Sequence, residues 1–367
     1  MSLIDTSTSQ PQPIPTDSGA RPAWSDPARE ALFMNWLAGL VVGHGLQPAT
    51  LRLASADASF RRYLRIDTAH GSRIIMDAPP DKEDCRPFVQ VAGLMANAGL
   101  RAPEVLAWDE RHGFMLISDL GLQTFMQRMN PDDPQANFEG YMWAVDALVK
   151  WQLASKPGVL APYDQALLRR ELALFPDWYL TRHRGVCVDG DLRQTLEDAF
   201  DHIVAQNLSW PSVYVHRDYM PRNLMLTPGH AGFGIIDFQD AVYGPITYDI
   251  ASLMRDAFLS WEEDFVLDIT IRYWEKARKA GLPVGDDFGE FYKGVEWMGL
   301  QRHLKIAGIF TRLTLRDGKP QYLADAPRFI HYIRSTAHRY RELKPLLRLI
   351  DKIEGFESLS GFAYGRV

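Results

Sequence analysis

The 367-residue sequence contains few cysteines, no long apolar run and no excess of basic residues. Its two cysteines, Cys85 and Cys187, lie far apart and show neither a CxxC spacing nor a Cys/His ligand pattern. The sequence therefore offers no disulfide framework and no zinc site. We expect both residues to be free thiols of a reducing compartment.

Membrane insertion and secretion are also disfavoured. The longest apolar run, Trp36 to Val42, is far shorter than the ~18 residues that a membrane span requires. The N-terminus has no basic start followed by an apolar stretch, which is the pattern of a secretory signal. We therefore expect a protein of the cytoplasm that has no membrane partner.

The charge balance bears on the class of partner. The chain has 40 Lys and Arg against 46 Asp and Glu, a net charge of −6, whereas a nucleic-acid-binding domain usually carries a basic surplus. We expect no nucleic-acid partner, and no feature of the sequence indicates a protein partner. A hydrophobic content of 46% supplies a sizeable core, and the length suggests two domains or one two-lobed unit.

The pattern of apolar residues changes along the chain. Residues 1–24 are rich in Ser, Thr, Pro and Gln and are predicted to form a disordered tail. Within 25–120, a helix that starts at Asp26-Pro27 precedes short strands and a second helix over about 86–98. The predicted strands are Leu51–Leu53, Tyr63–Ile66, Arg73–Met76 and Phe114–Ile117. This segment is therefore predicted to be a small antiparallel β lobe.

Long helical patterns dominate residues 121–367, with strands predicted only around 213–238. We therefore expect a larger, mainly helical lobe here. The predicted fold class is α+β with two lobes.

The most informative stretch runs from His216 through Asp218 to Asn223 and on to Asp237. If residues 223–226 and 234–237 pair as an antiparallel hairpin, Asn223 and Asp237 lie side by side. Their hard oxygen atoms suit Mg²⁺, which takes few protein ligands and fills its other positions with water and phosphate. The spacing H-x-D-x4-N followed by an Asp corresponds to the catalytic loop and metal-binding Asp of kinases.

This pattern gives each residue a candidate role. Asp218 is the candidate base for the attacking hydroxyl, and Asn223 and Asp237 are the candidate metal ligands. The alternative is that these polar residues only close turns, as Asp and Asn often do.

The segments HRDYMPRN, IIDFQDAVYGPITYDIASLMRD and LISDLG resemble the aminoglycoside phosphotransferase and choline kinase family over about residues 30–345. The resemblance implies a protein-kinase-like fold, ATP as phosphate donor and a hinge at 117–121. It implies that the backbone of Ser118 and Leu120 binds adenine, and that Asp249 steadies the catalytic loop. It also divides the chain into a nucleotide-binding lobe, 25–120, and a catalytic and substrate lobe, 121–367.

A narrower resemblance concerns the acceptor. The segments RIIMDAPPDKEDCRPF and LQRHLKIAGIFTRL are similar to the anomeric N-acetylmuramate/N-acetylglucosamine kinases of bacterial cell-wall (peptidoglycan) recycling. That resemblance implies a small amino sugar as substrate and a sugar 1-phosphate as product. An aminoglycoside or a choline-like amine is the alternative acceptor, and a pseudokinase-like module that only binds nucleotide is the alternative class.

The sequence departs from the kinase pattern at the residues that bind the nucleotide phosphates. Kinases of this fold carry a Lys on the third strand, paired with a Glu on the following helix. Met76 stands where that Lys is expected, and the helix over 86–98 contains no Glu. The loop over 54–61 has no glycine. Its amides, Ser59 and Arg61 are the candidate phosphate ligands, with Arg62 and Lys82 as further basic residues, and the alternative is that each is only a solvated side chain.

Residues for the acceptor are less defined. Three helical segments of the larger lobe combine aromatic and hydrogen-bonding side chains that suit a sugar. The alternative is that these aromatic residues belong to the hydrophobic core, which is the commoner role of aromatic residues on helices. These segments are Asp177–Tyr179, Glu296–Trp297 and Gln301–His303.

Overall fold

The computed structural model of the protein describes residues 22–56, 61–227 and 229–356. The predicted tail over 1–24 lies outside this part except for its last residues. The Trp24 ring lies 4.9 Å from the Phe33 ring, so the chain is already packed from Trp24 onward.

The structure has helices throughout and strands concentrated before residue 125. The helices are α1 (Pro27–His44), α2 (Arg86–Asn97), α3 (Phe125–Arg128), α4 (Phe138–Leu153), α5 (Gln165–Leu172), α6 (Gly190–Leu208), α7 (Thr247–Met254), α8 (Glu263–Lys279), α9 (Phe288–Leu315), α10 (Ala326–Arg339) and α11 (Lys344–Glu354). Single 3₁₀ turns occupy Pro134–Asn137, Pro221–Asn223, Pro320–Asp325 and Arg341–Leu343, and Phe175–His183 is a π-helical segment.

The strands are β1 (Leu46–Ala56), β2 (Arg62–Thr68), β3 (Gly71–Asp77), β4 (Val105–Asp109), β5 (Phe114–Ser118), β6 (Gln123–Thr124), β7 (Ser212–Val215), β8 (Leu224–Leu226), β9 (Phe233–Ile235) and β10 (Val242–Pro245). The four strands predicted before residue 120 are confirmed, as are the strands around 213–238. Strands β4, β6 and β10 were not predicted. Strand β6 has only two residues, and β10 contains Gly244 and Pro245, residue types that are uncommon in strands.

Packing divides the chain into two compact units. The first comprises Met1–Ala154 with Pro221–Asp240, and the second comprises Ser155–Met220 with Ala241–Val367. The predicted lobes over 25–120 and 121–367 remain a prediction about nucleotide and substrate binding.

The first unit contains an antiparallel five-stranded sheet in the order β1-β2-β3-β5-β4. One face of the sheet packs on α1, whose Phe33 and Leu37 are buried against Leu64, Ile75 and neighbouring side chains. The Asp26 side chain accepts a hydrogen bond from the Ala28 amide and caps α1, as the Asp26-Pro27 signal predicts. A second, three-stranded sheet of this unit has the order β6-β8-β9.

The second unit is mainly helical, with α5 to α11 around the two-stranded sheet β7-β10. Its longest helix, α9, is buried along most of its length. The predicted α+β class, a small antiparallel β lobe with a larger helical lobe, is therefore confirmed. No helix within residues 22–56, 61–227 and 229–356 combines the length and the apolar character needed to span a bilayer.

Candidate active site

The loop that follows β7 in the second unit carries Asp218. The Asp249 carboxylate fixes this loop by accepting the His216 amide at 2.7 Å and the Arg217 amide at 3.1 Å. The Asp218 amide donates to His216 Nδ1 at 3.3 Å. Arg217 adopts a left-handed backbone with φ of 76°, a conformation that costs a non-glycine residue energy unless its surroundings hold it.

Asp249 is fully buried at the start of α7. Burial raises the pKa of its carboxyl group to about 7, although the two amide donors favour the charged form. The geometry is that of a carboxylate holding a loop, which is the role that the family resemblance implies for this residue.

Asp218 itself is half-buried and lies in a positive field. Burial raises the pKa of its carboxyl group, but Lys305, Arg302 and Arg217 lower it further than burial raises it. The net result is a pKa below the ordinary value, so Asp218 is ionised at neutral pH. An ionised carboxylate can accept a hydrogen bond from a substrate hydroxyl.

A buried network supplies part of this positive field. Arg217 Nη2 and Lys305 Nζ lie 2.6 Å and 3.0 Å from the same oxygen of Glu171. The Tyr163 hydroxyl donates to the other oxygen of Glu171. Lys305 and Arg217 hold the pKa of the Glu171 carboxyl below its usual value although burial raises it.

Arg302 completes the support of the loop. Its Nη1 donates to the carbonyl oxygen of Arg217 at 2.6 Å, and its guanidinium lies 4.9 Å from the centre of the Tyr248 ring. Sequence reasoning did not find Glu171 or Lys305. The signal was present in Leu304-Lys305-Ile306, a cation within the apolar part of a helix, which requires a buried partner.

The hairpin of the first unit has the geometry that the sequence predicts. Strands β8 and β9 pair antiparallel with Leu224 opposite Ile235, and the Asn223 side chain lies beside that of Asp237, with Nδ2 3.3 Å from Oδ2. Asp237 has a left-handed backbone with φ of 64°, and Gln239 Nε2 donates to its Oδ1 at 3.0 Å.

The donor atoms of this pair decide which metal ion it fits. Within the described ranges no group of three or more His, Cys, Asp or Glu side chains could hold a metal. Mg²⁺ is bound in phosphoryl-transfer sites by one or two protein groups together with water and substrate phosphates. An adjacent amide and carboxylate, Asn223 and Asp237, therefore fit Mg²⁺.

The predicted hinge follows β5. The Ser118 amide donates to the Glu104 carbonyl at 2.9 Å, so this amide is not available to a ligand. The Asp119 carboxylate is held by Arg65 Nε and Ser72 Oγ, both at 2.6 Å. A Cβ atom on Gly234 would lie 2.8 Å from the Leu120 side chain, so glycine lets Leu120 pack closely on β9.

The candidate phosphate ligands have different surroundings in the structure. Ser59 lies outside the described residues. Arg61 forms an ion pair with Glu83 at 3.1 Å. The Arg62 guanidinium contacts Asp77 at 2.7 Å, and the Lys82 side chain is half exposed near Asp81.

The aromatic residues suggested for the acceptor are mostly core, which is the commoner of the two interpretations. Tyr179 and Trp297 are each 2% exposed. His303 is buried with its ring 4.7 Å from the Tyr332 ring, and burial lowers its pKa to about 3. These side chains therefore stabilise the second unit.

Fold and site together define a class, the small-molecule phosphotransferases with kinase-like α+β architecture. Residues 50–287 match the model of the family described as "Phosphotransferase enzyme family" (APH). The chain belongs to this family.

Two relatives carry the same name, N-acetylmuramate/N-acetylglucosamine kinase. The protein from Pseudomonas aeruginosa is 48% identical, over 89% of this chain and 97% of its own length. The protein from Neisseria meningitidis serogroup B is 45% identical, over 92% of this chain and 99% of its own length. Among solved structures, an ethanolamine kinase from Plasmodium vivax has a similar fold, with a TM-score of 0.58 at 10% identity over 86% of this chain and 93% of that chain.

Proposed function

We propose that this protein is an ATP- and Mg²⁺-dependent kinase that phosphorylates the anomeric hydroxyl of N-acetylmuramate or N-acetylglucosamine to give the sugar 1-phosphate. The observation that carries the proposal is the similarity to a relative named for these two sugars. The two sequences are 48% identical, and the match covers 97% of the relative's length. We further propose that it acts in the cytoplasm, where ATP is available.

Asp218 is the catalytic base in this proposal. Its ionised carboxylate accepts a hydrogen bond from the acceptor hydroxyl and takes the proton as the oxygen attacks the γ-phosphorus, while the bond from that phosphorus to the β–γ bridging oxygen breaks and ADP leaves. Asp249 acts through the backbone by fixing the His216 and Arg217 amides, so the carboxylate of Asp218 is presented in one orientation. Lys305 and Arg302 keep Asp218 ionised before the hydroxyl arrives.

Asn223 and Asp237 hold the metal ion in this proposal. Mg²⁺ bound there would neutralise charge on the phosphates during transfer. The support is the adjacency of the two side chains and the second contact from Gln239, which orients the Asp237 carboxylate.

Ser118 and Leu120 are the proposed adenine ligands. Because the Ser118 amide is engaged with Glu104, the backbone of Ser118 can contribute only its carbonyl oxygen, as acceptor for the adenine amino group. Leu120 would contribute its amide to a ring nitrogen. One acceptor and one donor two residues apart match the edge of adenine.

The experiment is ADP release from Mg-ATP with a panel of N-acetylmuramate, N-acetylglucosamine, an aminoglycoside and choline. Loss of the sugar's reducing end is measured in parallel, since phosphorylation at the anomeric oxygen removes it. We expect turnover with the N-acetylated sugars and equal amounts of ADP and blocked reducing end. Turnover with the aminoglycoside or choline alone would replace the proposed acceptor.

The Asp218→Asn variant tests the base. We expect it to lose activity by about 100-fold or more, because the amide cannot accept the proton. Asp198→Asn is the matched control, since Asp198 is exposed on α6. Near wild-type turnover by Asp218→Asn would remove Asp218 from the base role, and nucleotide binding without any turnover by the wild type would favour a binding module.

A further inference from the structure

We propose that Arg61 and Glu83 together replace the strand lysine and helix glutamate that bind the α- and β-phosphates in kinases of this fold. The inference rests on the proposed function, since it requires a nucleotide substrate. It assigns Arg61 as the phosphate ligand and Glu83 as the residue that positions it.

The lysine and glutamate of kinases have no counterparts on β3 and α2 of this protein. Met76 of β3 is fully buried, and the residues directly opposite it on the neighbouring strands are Tyr63 and Met115. Helix α2 has no acidic residue in its sequence RPFVQVAGLMAN. The α- and β-phosphates therefore require a different cation.

Arg61 lies immediately before β2, and its contact with Tyr63 indicates the face of the sheet that carries Met76. Tyr63 and Met76 are direct partners and share a face, and Arg61 precedes Tyr63 by two residues. The Arg61 side chain interacts with the Tyr63 hydroxyl, which confirms that the two point the same way. Diagonal neighbours on adjacent strands lie within reach of long side chains, so a side chain as long as that of Arg61 can reach the neighbourhood of position 76.

Glu83 holds this guanidinium in place. The distance from Arg61 Nη2 to Glu83 Oε2 is 3.1 Å, and the two side chains are only 11% and 15% exposed. Glu83 is itself fixed, because its amide donates to the Pro79 carbonyl at 2.9 Å within the turn that leads to α2. A guanidinium carries five N–H donors in a planar fork, a geometry that suits contact with carboxylate and phosphate oxygens.

The other cations nearby have different positions. Arg62 and Arg29 both bind Asp77, which lies on the face opposite to Met76. Arg65 binds Asp119 in the hinge, and Lys82 is half exposed. Arg61 therefore resembles the strand lysine of kinases in three respects: it lies on the face of the sheet that carries Met76, it is largely buried, and it has an acidic partner.

The experiment measures binding of adenosine and ADP by calorimetry to the wild type, Arg61→Met, Arg61→Lys and Glu83→Gln, with no acceptor present. Arg86→Met is the control, because Arg86 forms an exposed pair with Asp84 next to Glu83. We expect Arg61→Met to weaken ADP binding by roughly 10- to 100-fold, the worth of a charge-assisted hydrogen bond, and to leave adenosine binding unchanged. Arg61→Lys should recover part of the loss.

Adenosine and ADP together distinguish a phosphate ligand from a structural ion pair, because only ADP carries phosphates. Equal loss of adenosine and ADP affinity in Arg61→Met, or no loss of either, would overturn the inference. An ADP-selective loss supports it even if no sugar on the panel is phosphorylated, in which case only the proposed acceptor fails. If the wild type turns over sugar and the ADP-selective loss is absent, only the present inference fails. Absence of ADP binding by the wild type would overturn both.

Discussion

At the residue scale, the two non-glycine residues with left-handed backbone among the described residues are Arg217 and Asp237. Each such residue costs about 1–3 kcal/mol unless its surroundings impose the conformation. Asp249 and Arg302 hold Arg217, and Gln239 contacts Asp237. Strain is thus concentrated beside Asp218 and at the proposed metal ligand, where the direction of a carboxylate matters for chemistry.

The exchange Asp237→Asn tests the metal role of this residue. The amide is nearly isosteric but neutral, so Mg²⁺ affinity should fall by roughly 10- to 100-fold and the Mg²⁺ concentration for half-maximal rate should rise accordingly. The measurement is the Mg²⁺ dependence of turnover and of ADP binding. Asp132→Asn, at an exposed position of the same unit, is the control. An unchanged Mg²⁺ dependence would show that Asp237 does not bind the ion.

At the element scale, α9 links the site to the core of the second unit. It carries Arg302 and Lys305 on a buried surface, and its Gly308 packs directly on the backbone carbonyl of Leu174. This close approach keeps α9 in position against the start of the π-helical segment. Glycine weakens a helix, but a larger residue is excluded at position 308 because its side chain would have no space.

Gly308→Ala should therefore destabilise the protein. A Cβ atom would clash with the Leu174 carbonyl, and we expect a loss of about 1–3 kcal/mol from overpacking despite the ~1 kcal/mol by which alanine favours a helix. Gly93→Ala in α2 is the control, since nothing lies within 4 Å of its added Cβ and a small gain is expected. Urea unfolding measures both, and equal stability of the two variants would contradict the packing argument.

At the scale of the whole molecule, ion pairs join helices that are distant in sequence. The Glu263 carboxylate on α8 contacts Arg255 and Arg339, each at 2.9 Å, and accepts the Tyr292 hydroxyl of α9. Burial raises the pKa of Glu263, but these partners outweigh burial and lower the pKa to about 2. A carboxyl group whose pKa is lowered by folding stabilises the folded state while it is ionised.

The sign of the pH effect follows from this shift. The stabilisation is complete above the ordinary pKa of 4.5 and is lost as the pH falls towards about 2. Glu263→Gln should cost about 1–2 kcal/mol at pH 7, discounted because the side chain is one third exposed, and progressively less between pH 4.5 and pH 2. Urea unfolding between pH 2 and pH 7 measures the stability cost of Glu263→Gln, and Glu262→Gln, at an exposed position, is the control. A cost that does not change with pH would contradict the ionic origin.

Part of the site could be predicted from sequence because its members are close in the chain. Asn223 and Asp237 flank one hairpin, and antiparallel pairing brings the start of one strand to the end of the next. The hinge at 117–121 remains a prediction that rests on the family resemblance. The Glu171 and Lys305 contact joins α5 to α9, and no local pattern states which buried acid meets which buried cation.

The sequence by itself determined the α+β class and the hairpin that pairs Asn223 with Asp237, because these follow from local periodicity and spacing. The absence of the strand lysine followed from the kinase pattern that the family resemblance implies. The tertiary structure decided the pairing of Arg61 with Glu83, the ionised state of Asp218 and the core role of Tyr179. These depend on burial and on charges brought together from distant parts of the chain. Electrostatic energy is set by distance and by exclusion of water, and only the folded chain fixes both.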